Sequence, residues 1–315
     1  MENINNNDIH IISRHSNWST TSVDDVLHSK IYSKKADWTH FLKLLFISLG
    51  VAFTTAGIIF FFAYNWNDLH KFIKLGLIGS LIIGLTLFVA FSKNSQTIKN
   101  VILTGVTMLV GVLFAVFGQI YQTGANAYDF FLGWTMAVAL WVFISNFSAM
   151  WLVFMVLANI TLVLYEKQVA HDWSPLTLLL LLILLNTVFL IGNFILSKKD
   201  KQYVWLQKIV AIAIVTLATF GVVVIIFDVD LAYNWPLLLV TIVLYIIGRF
   251  YAFNTKDTFY IAIIALSIIV ILVALFLKVF DFDSGVLLLA SLLVIAFVTV
   301  VVKYLMKLQK NWDNE

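Results

Sequence analysis

Residues 42–64 read LKLLFISLGVAFTTAGIIFFFAY, and after Lys43 this run holds no charged residue. A helix rises about 1.5 Å per residue, so roughly 20 apolar residues cross the ~30 Å hydrocarbon core of a bilayer. The run is long enough for that. Comparable runs follow to the C-terminus, near 72–92, 100–120, 130–145, 149–165, 174–196, 204–227, 236–253, 258–280 and 284–306. The expectation is an all-α protein, a polytopic transmembrane helical bundle of ten spans. The fourth and fifth runs are short, and only Asn146-Phe147-Ser148 separates them. They read as a tight helical hairpin or, in part, as a re-entrant pair.

Composition agrees. Of 315 residues, 62% are hydrophobic and 12% charged, against about 45–50% and about 25% in ordinary soluble domains. Such a chain cannot hide its apolar surface from water by folding alone, which excludes a soluble enzyme, a disordered protein and a nucleic-acid-binding domain. There is no cysteine, hence no disulfide and no thiolate metal site. The net charge of +3 is too small to argue for an acidic partner.

Where the charges lie says more. With the N-terminus placed in the cytoplasm, 16 of the 20 Lys and Arg fall on the inner side and 4, Lys71, Lys74, Lys167 and Lys278, on the outer. Positive-inside bias of this kind sets orientation, whereas acids contribute little; the 17 acids divide 8 outside and 9 inside. Both termini are therefore expected inside. Trp66, Trp173, Trp205, Trp235 and Trp312 fall at span ends, where indole rings anchor at headgroup depth.

Three segments organise the chain: a polar arm over 1–41, a membrane region over 42–165, and a second membrane half with a short tail over 166–315. In the arm, Ser22 reads as an N-cap with Asp25 three residues on. Val23, Val26, Leu27, Ile31 and Tyr32 then recur at helical spacing, predicting an amphipathic helix over 23–34. It reads as a solvated helix, or as one that docks on the membrane face or on a protein partner.

The span centres hold no Asp, Glu, Lys, Arg or His. Charge inside a span is costly and marks function, so a proton-coupled pump is not favoured. Thr54, Thr55, Asn159, Asn186 and Asn193 do occur inside spans, and buried amides there usually join helix pairs. Small residues spaced by four, Ala52 and Ala56, Ser80 and Gly84, and Thr107, Gly111 and Ala115, predict close packing among the first three spans.

The most unusual stretch is Gly118-Gln119-Ile120-Tyr121-Gln122-Thr123-Gly124-Ala125-Asn126-Ala127-Tyr128-Asp129, leading to Phe130-Phe131-Leu132-Gly133-Trp134. Non-helical backbone at membrane depth must be buried in protein or line a wet cavity. Gln119, Tyr121, Gln122, Asn126, Tyr128 and Asp129 are thus candidates for an outer-face polar site, read either as an interfacial loop or as a small-molecule or cation vestibule. Asn65 and Trp66 join the candidates from Ala63-Tyr64-Asn65-Trp66, which has a near copy at Ala232-Tyr233-Asn234-Trp235. The copy reads as chance interfacial composition or as a trace of duplication. Phosphate loops and metalloprotease or hydrolase motifs are absent from the sequence, and the six His are scattered. No catalytic residue, metal ligand or cofactor is expected.

The run Ala56-Gly57-Ile58-Ile59-Phe60-Phe61-Phe62-Ala63-Tyr64-Asn65-Trp66, followed by Gly118–Ala125 and Phe131-Leu132-Gly133-Trp134, resembles a bacterial family of multi-pass membrane proteins of unknown function. The likeness covers roughly residues 20–165. It implies a bacterial inner-membrane location and brings no activity, substrate or cofactor. The reading is an integral membrane protein without enzymatic chemistry, or alternatively a transporter or channel for a small neutral solute entering at 118–134.

Overall fold

The structure, a computed structural model, describes residues 9, 12–16, 18–27, 35–64, 70–121, 124, 126–197, 203–227, 235–280 and 283–313. Among them there is no β-strand. A short helix, α1 (Thr20–Val26), precedes ten long ones: α2 (Lys35–Tyr64), α3 (Lys71–Phe91), α4 (Gln96–Tyr121), α5 (Ala127–Ser145), α6 (Ser148–Gln168), α7 (Pro175–Ser197), α8 (Val204–Phe227), α9 (Trp235–Thr255), α10 (Thr258–Val279) and α11 (Ser284–Asp313). Each of these ten carries a stretch long and apolar enough to cross a membrane. The all-α, ten-span expectation is met. The helix is the element that satisfies every backbone group within its own segment, which lipid requires. Several threonine hydroxyls inside the spans turn back on their own helix in the same way. Thr55 donates to the Val51 carbonyl, Thr86 to Ile82, Thr161 to Leu157 and Thr187 to Ile183, all at 2.7–2.8 Å.

Several ends differ from the hydropathy reading. Helix α2 starts at Lys35 and α11 runs on to Asp313, because the polar flanks of these apolar runs hold no proline or glycine that would break a helix. Helix α1 begins three residues earlier than expected. Ser19, not Ser22, is its N-cap and accepts from the Ser22 amide at 3.1 Å. In the Ser19-Thr20-Thr21-Ser22 run the first hydroxyl that reaches an N3 amide takes the role. The rest of the expected helix, 28–34, lies outside the described residues, as do Asn65, Trp66, Gln122 and residues 232–234 of the near copy.

The chain divides into two compact units, residues 1–120 and 121–315. In the first, α4 is the most buried of the three long helices, with Gly105, Val106, Thr107, Leu109, Val110 and Gly111 inside. A Cβ added at Gly105 would meet Val51 Cγ1 of α2 at 2.5 Å, so glycine is what permits that approach. The small residues of α2 and α3 behave otherwise. Ala52, Ser80 and Gly84 are exposed, and Thr54, Gly57, Ser80 and Gly84 border an open, largely apolar cleft between these two helices.

In the second unit α5 packs on α6, α7 on α8, and α10 on both α8 and α11. The fourth and fifth spans form a hairpin. Both are full helices of 19 and 21 residues. Asn146 closes α5 in the left-handed conformation (φ 45°), a position asparagine tolerates better than most residues. It is held from two sides: Trp151 Nε1 donates to its Oδ1 at 3.3 Å, and the Tyr203 hydroxyl at the start of α8 donates to its carbonyl.

Candidate functional site

The 118–134 stretch is less of a loop than its composition suggests. Gly118–Tyr121 complete α4 and residues 127–134 open α5; residues 122, 123 and 125 lie outside the described residues. Gly124, between the two helices, turns at φ +63°. Gln119 and Tyr121 are exposed on the last turn of α4. Asn126 is the exposed N-cap residue of α5, and its side chain makes no capping bond. Asp129 sits exposed in the first turn of α5, where the helix dipole favours an acid. Tyr128 is half-buried and structural in its contacts. Its backbone amide donates to Gln168 Oε1 at 2.9 Å, and its ring meets Tyr165 edge-on at 5.3 Å, which in turn meets Trp173 at 5.6 Å. The aromatic trio ties the start of α5 to the end of α6.

The in-span amides go to two different uses. Asn159 of α6 and Asn186 of α7 form a reciprocal pair. Asn186 Nδ2 donates to Asn159 Oδ1 at 2.7 Å, and Asn159 Nδ2 to Asn186 Oδ1 at 3.1 Å. Each Nδ2 also donates to its own helix, to Leu182 and Met155 respectively, at 2.8 Å. Four donor hydrogens find four acceptors, and Asn186 is only 1% exposed. Such a clasp contributes about 0.6–2 kcal/mol in lipid. A second cross-helix set joins three helices: the Tyr245 hydroxyl of α9 bonds Ser267 of α10, and Ser267 bonds Thr219 of α8.

Asn193, two turns beyond Asn186 on α7, is not paired. Its Oδ1 is buried and accepts from no described residue. The residue borders an open-sided cavity of about 400 Å³ between α5, α6, α7 and α8, within the roughly 300–1,000 Å³ range of small-molecule pockets. Four rings surround it in an edge-to-face chain. Phe143 meets Trp151 at 5.0 Å, Trp151 meets Phe154 at 6.0 Å, and Phe154 meets Phe189 at 5.6 Å. Trp151, Met155, Leu206 and Val210 form a buried floor, whereas Phe143 and Val188 are exposed at the rim. Composition did not single this cavity out. The one signal in the sequence was a second asparagine in the same apolar run.

Near the N-terminus of α8, Lys208 Nζ pairs with Asp257 Oδ2 at 2.9 Å and lies over the Phe259 ring, while Asp257 Oδ1 caps α10 through the Phe259 amide. No group of three His, Cys, Asp or Glu poised to hold a metal occurs among the described residues.

Helices of this length and apolarity, in this number, make a protein of the membrane. Residues 28–151 match the model of a family described as predicted membrane protein (DUF2157). The matched segment runs from before α2 to the first turn of α6, so it contains both stretches on which the resemblance to such a family rests. The family's description names no activity. No curated protein and no solved structure matches the chain.

Proposed function

We propose that the protein is a non-enzymatic integral protein of a bacterial inner membrane, with both termini in the cytoplasm, that works by holding a lipid-dissolved guest. The observation that carries this reading is the α5–α8 cavity: its walls are aromatic and aliphatic, and its rim residues are exposed at span depth. An uncharged, apolar molecule suits such walls, because burial of apolar surface and ring contacts supply its affinity. The in-span amide and hydroxyl sets support the same reading, since they serve helix–helix cohesion. The distribution of Lys and Arg supports the orientation.

The test is recovery of a bound molecule. Protein extracted with its native lipid into nanodiscs is expected to carry a near-stoichiometric apolar guest that comes off chemically unchanged after prolonged incubation. Conversion of that guest to a product, or its absence from washed protein, contradicts the proposal.

A second reading, passage of a small neutral solute through an outer vestibule at 118–134, draws support from the exposure of Gln119, Tyr121, Asn126 and Asp129. These side chains remain accessible to a solute. Liposome flux that falls in Asp129→Ala and Gln122→Ala would favour it; wild-type flux in both would remove it. Residues 1–41 are the proposed contact for a protein partner, to be checked by crosslinking from that arm.

A further inference from the structure

We infer that the exposed face of α11 binds an anionic glycerophospholipid, with its phosphate held by Lys303, Lys307 and Lys310 and its acyl chains lying along Leu289, Leu292, Ala296 and Val300.

One helix face carries both halves of such a site. From Leu289 through Leu292, Ala296 and Val300 to the three lysines, the spacing is three or four residues throughout, so these positions form a single stripe. Every one of them is exposed. The opposite face packs on α10, and there Val301, Leu305, Leu308 and Trp312 are half-buried. The rise from Leu289 to Val300 is roughly 16 Å, about half of a ~30 Å hydrocarbon core and therefore one leaflet deep. The lysines begin where that leaflet ends.

Contacts on the packed side fix the depth. The hydroxyl of Thr258, the first residue of α10, donates to Gln309 Oε1 at 3.3 Å, and Trp312 meets Phe253 of α9 edge-on at 5.6 Å. Lys307 and Lys310 therefore lie at the level where the apolar run of α10 begins, and Lys303 lies roughly 9 Å nearer the bilayer centre. Lipid headgroups stand between Lys303 and any water-soluble partner. A lipid phosphate is the anion that its ammonium reaches by extending along the helix.

Charge selects the kind of lipid. The one acid in α11, Asp313, accepts from Gln309 Nε2 at 2.9 Å. None of the three lysines has a carboxylate partner among the described residues, whereas Lys208 is paired with Asp257. Three uncompensated ammonium groups along roughly 11 Å of helix favour a phosphodiester with no amine of its own. Phosphatidylcholine would set a quaternary ammonium against them.

The test uses the full chain in phosphatidylcholine nanodiscs. The probes are phosphatidylglycerol and phosphatidylcholine, each a minor component and each bearing a diazirine in one acyl chain. After illumination the labelled residues are mapped. Phosphatidylglycerol is expected to label the 289–300 stretch in preference to phosphatidylcholine. Lys303→Gln, Lys307→Gln and Lys310→Gln should each lower that preference about fivefold, which is what one cation near an anionic surface contributes. Lys307→Arg, which keeps the charge, should retain it. Arg249→Gln removes a cation from the other side of α11: Arg249 lies over the Phe253 ring, against which Trp312 packs. That variant should keep the wild-type preference.

Equal labelling of 289–300 by the two lipids, or a preference that survives the three glutamine variants, overturns the inference. A loss in Arg249→Gln as large as in Lys307→Gln does so too, because the general positive field at this end of the protein, and not the α11 stripe, would then be gathering the lipid.

Discussion

Helices meet by different means in residues 1–120 and residues 121–315. In the first unit α4 comes against α2 through a bare backbone: Gly105 leaves room for Val51, and the hydroxyls of Thr55, Thr86 and Thr104 bond their own helices. In the second, polar side chains reach across. Asn159 and Asn186 clasp, Tyr245, Ser267 and Thr219 link three helices, and Tyr203 fastens the α5–α6 hairpin through Asn146. Lipid tails are as apolar as leucine, so burial gives no general preference for one helix partner over another. Close backbone approach and hydrogen bonding are what remain. The first unit shows close approach at Gly105; the second has it at Gly221 and adds hydrogen bonds between helices.

Substitutions sharpen it. The largest effect is expected at Gly105→Ala. The new methyl would sit 2.5 Å from Val51 Cγ1, a stiff β-branched side chain, and overpacking of this kind costs about 1–3 kcal/mol. A detergent or SDS unfolding titration measures it. Gly221→Ala, the matching close approach in the second unit, should cost less. There the methyl meets the two δ-carbons of Leu237 at 2.8 and 3.0 Å, the far ends of a side chain that can swing aside. Equal losses at the two glycines would break the comparison.

Asn186→Leu comes next, at about 1–2 kcal/mol, because it leaves the Asn159 oxygen without its partner. The double variant with Asn159→Leu should lose less than the sum of the single ones, and the coupling is read from a double-mutant cycle on the same titration. Additive losses would mean the amides act separately. Lys208→Met is smaller, below about 1 kcal/mol, since both partners of its ion pair with Asp257 are about a third exposed. High salt should shrink the difference further. Gly57→Ala closes the series near zero: its Cβ would point into the open α2–α3 cleft.

Much of the architecture was legible in the residues. Apolar run length fixed the number of spans and placed 204–227 and 258–280 within a residue of α8 and α10. This works because lipid forces the helix on any chain that enters it. Helix ends outside the hydrocarbon were harder, as α2 and α11 show, because nothing in lipid stops a helix there. The 118–134 stretch misled for a related reason: its polar residues occupy helix termini as comfortably as they would a loop. Asn186 and Asn193 were indistinguishable by sequence. Which one finds a partner depends on what the facing helix presents at that height, and Asn159 stands opposite only the first. The small residues of α2 and α3 carry the spacing of a packing stripe, yet those lining the cleft face open space.

Threading of the bilayer is the central claim, and single-cysteine accessibility tests it most directly, since the chain has no cysteine of its own. Cysteine is placed one at a time at Asn126, Ser197 and Asp313, and intact cells are treated with a membrane-impermeant maleimide. Labelling at Asn126 without permeabilisation, and at Ser197 and Asp313 only after it, is the predicted result. Labelling of Asn126 and Ser197 from the same side would contradict the ten-span path.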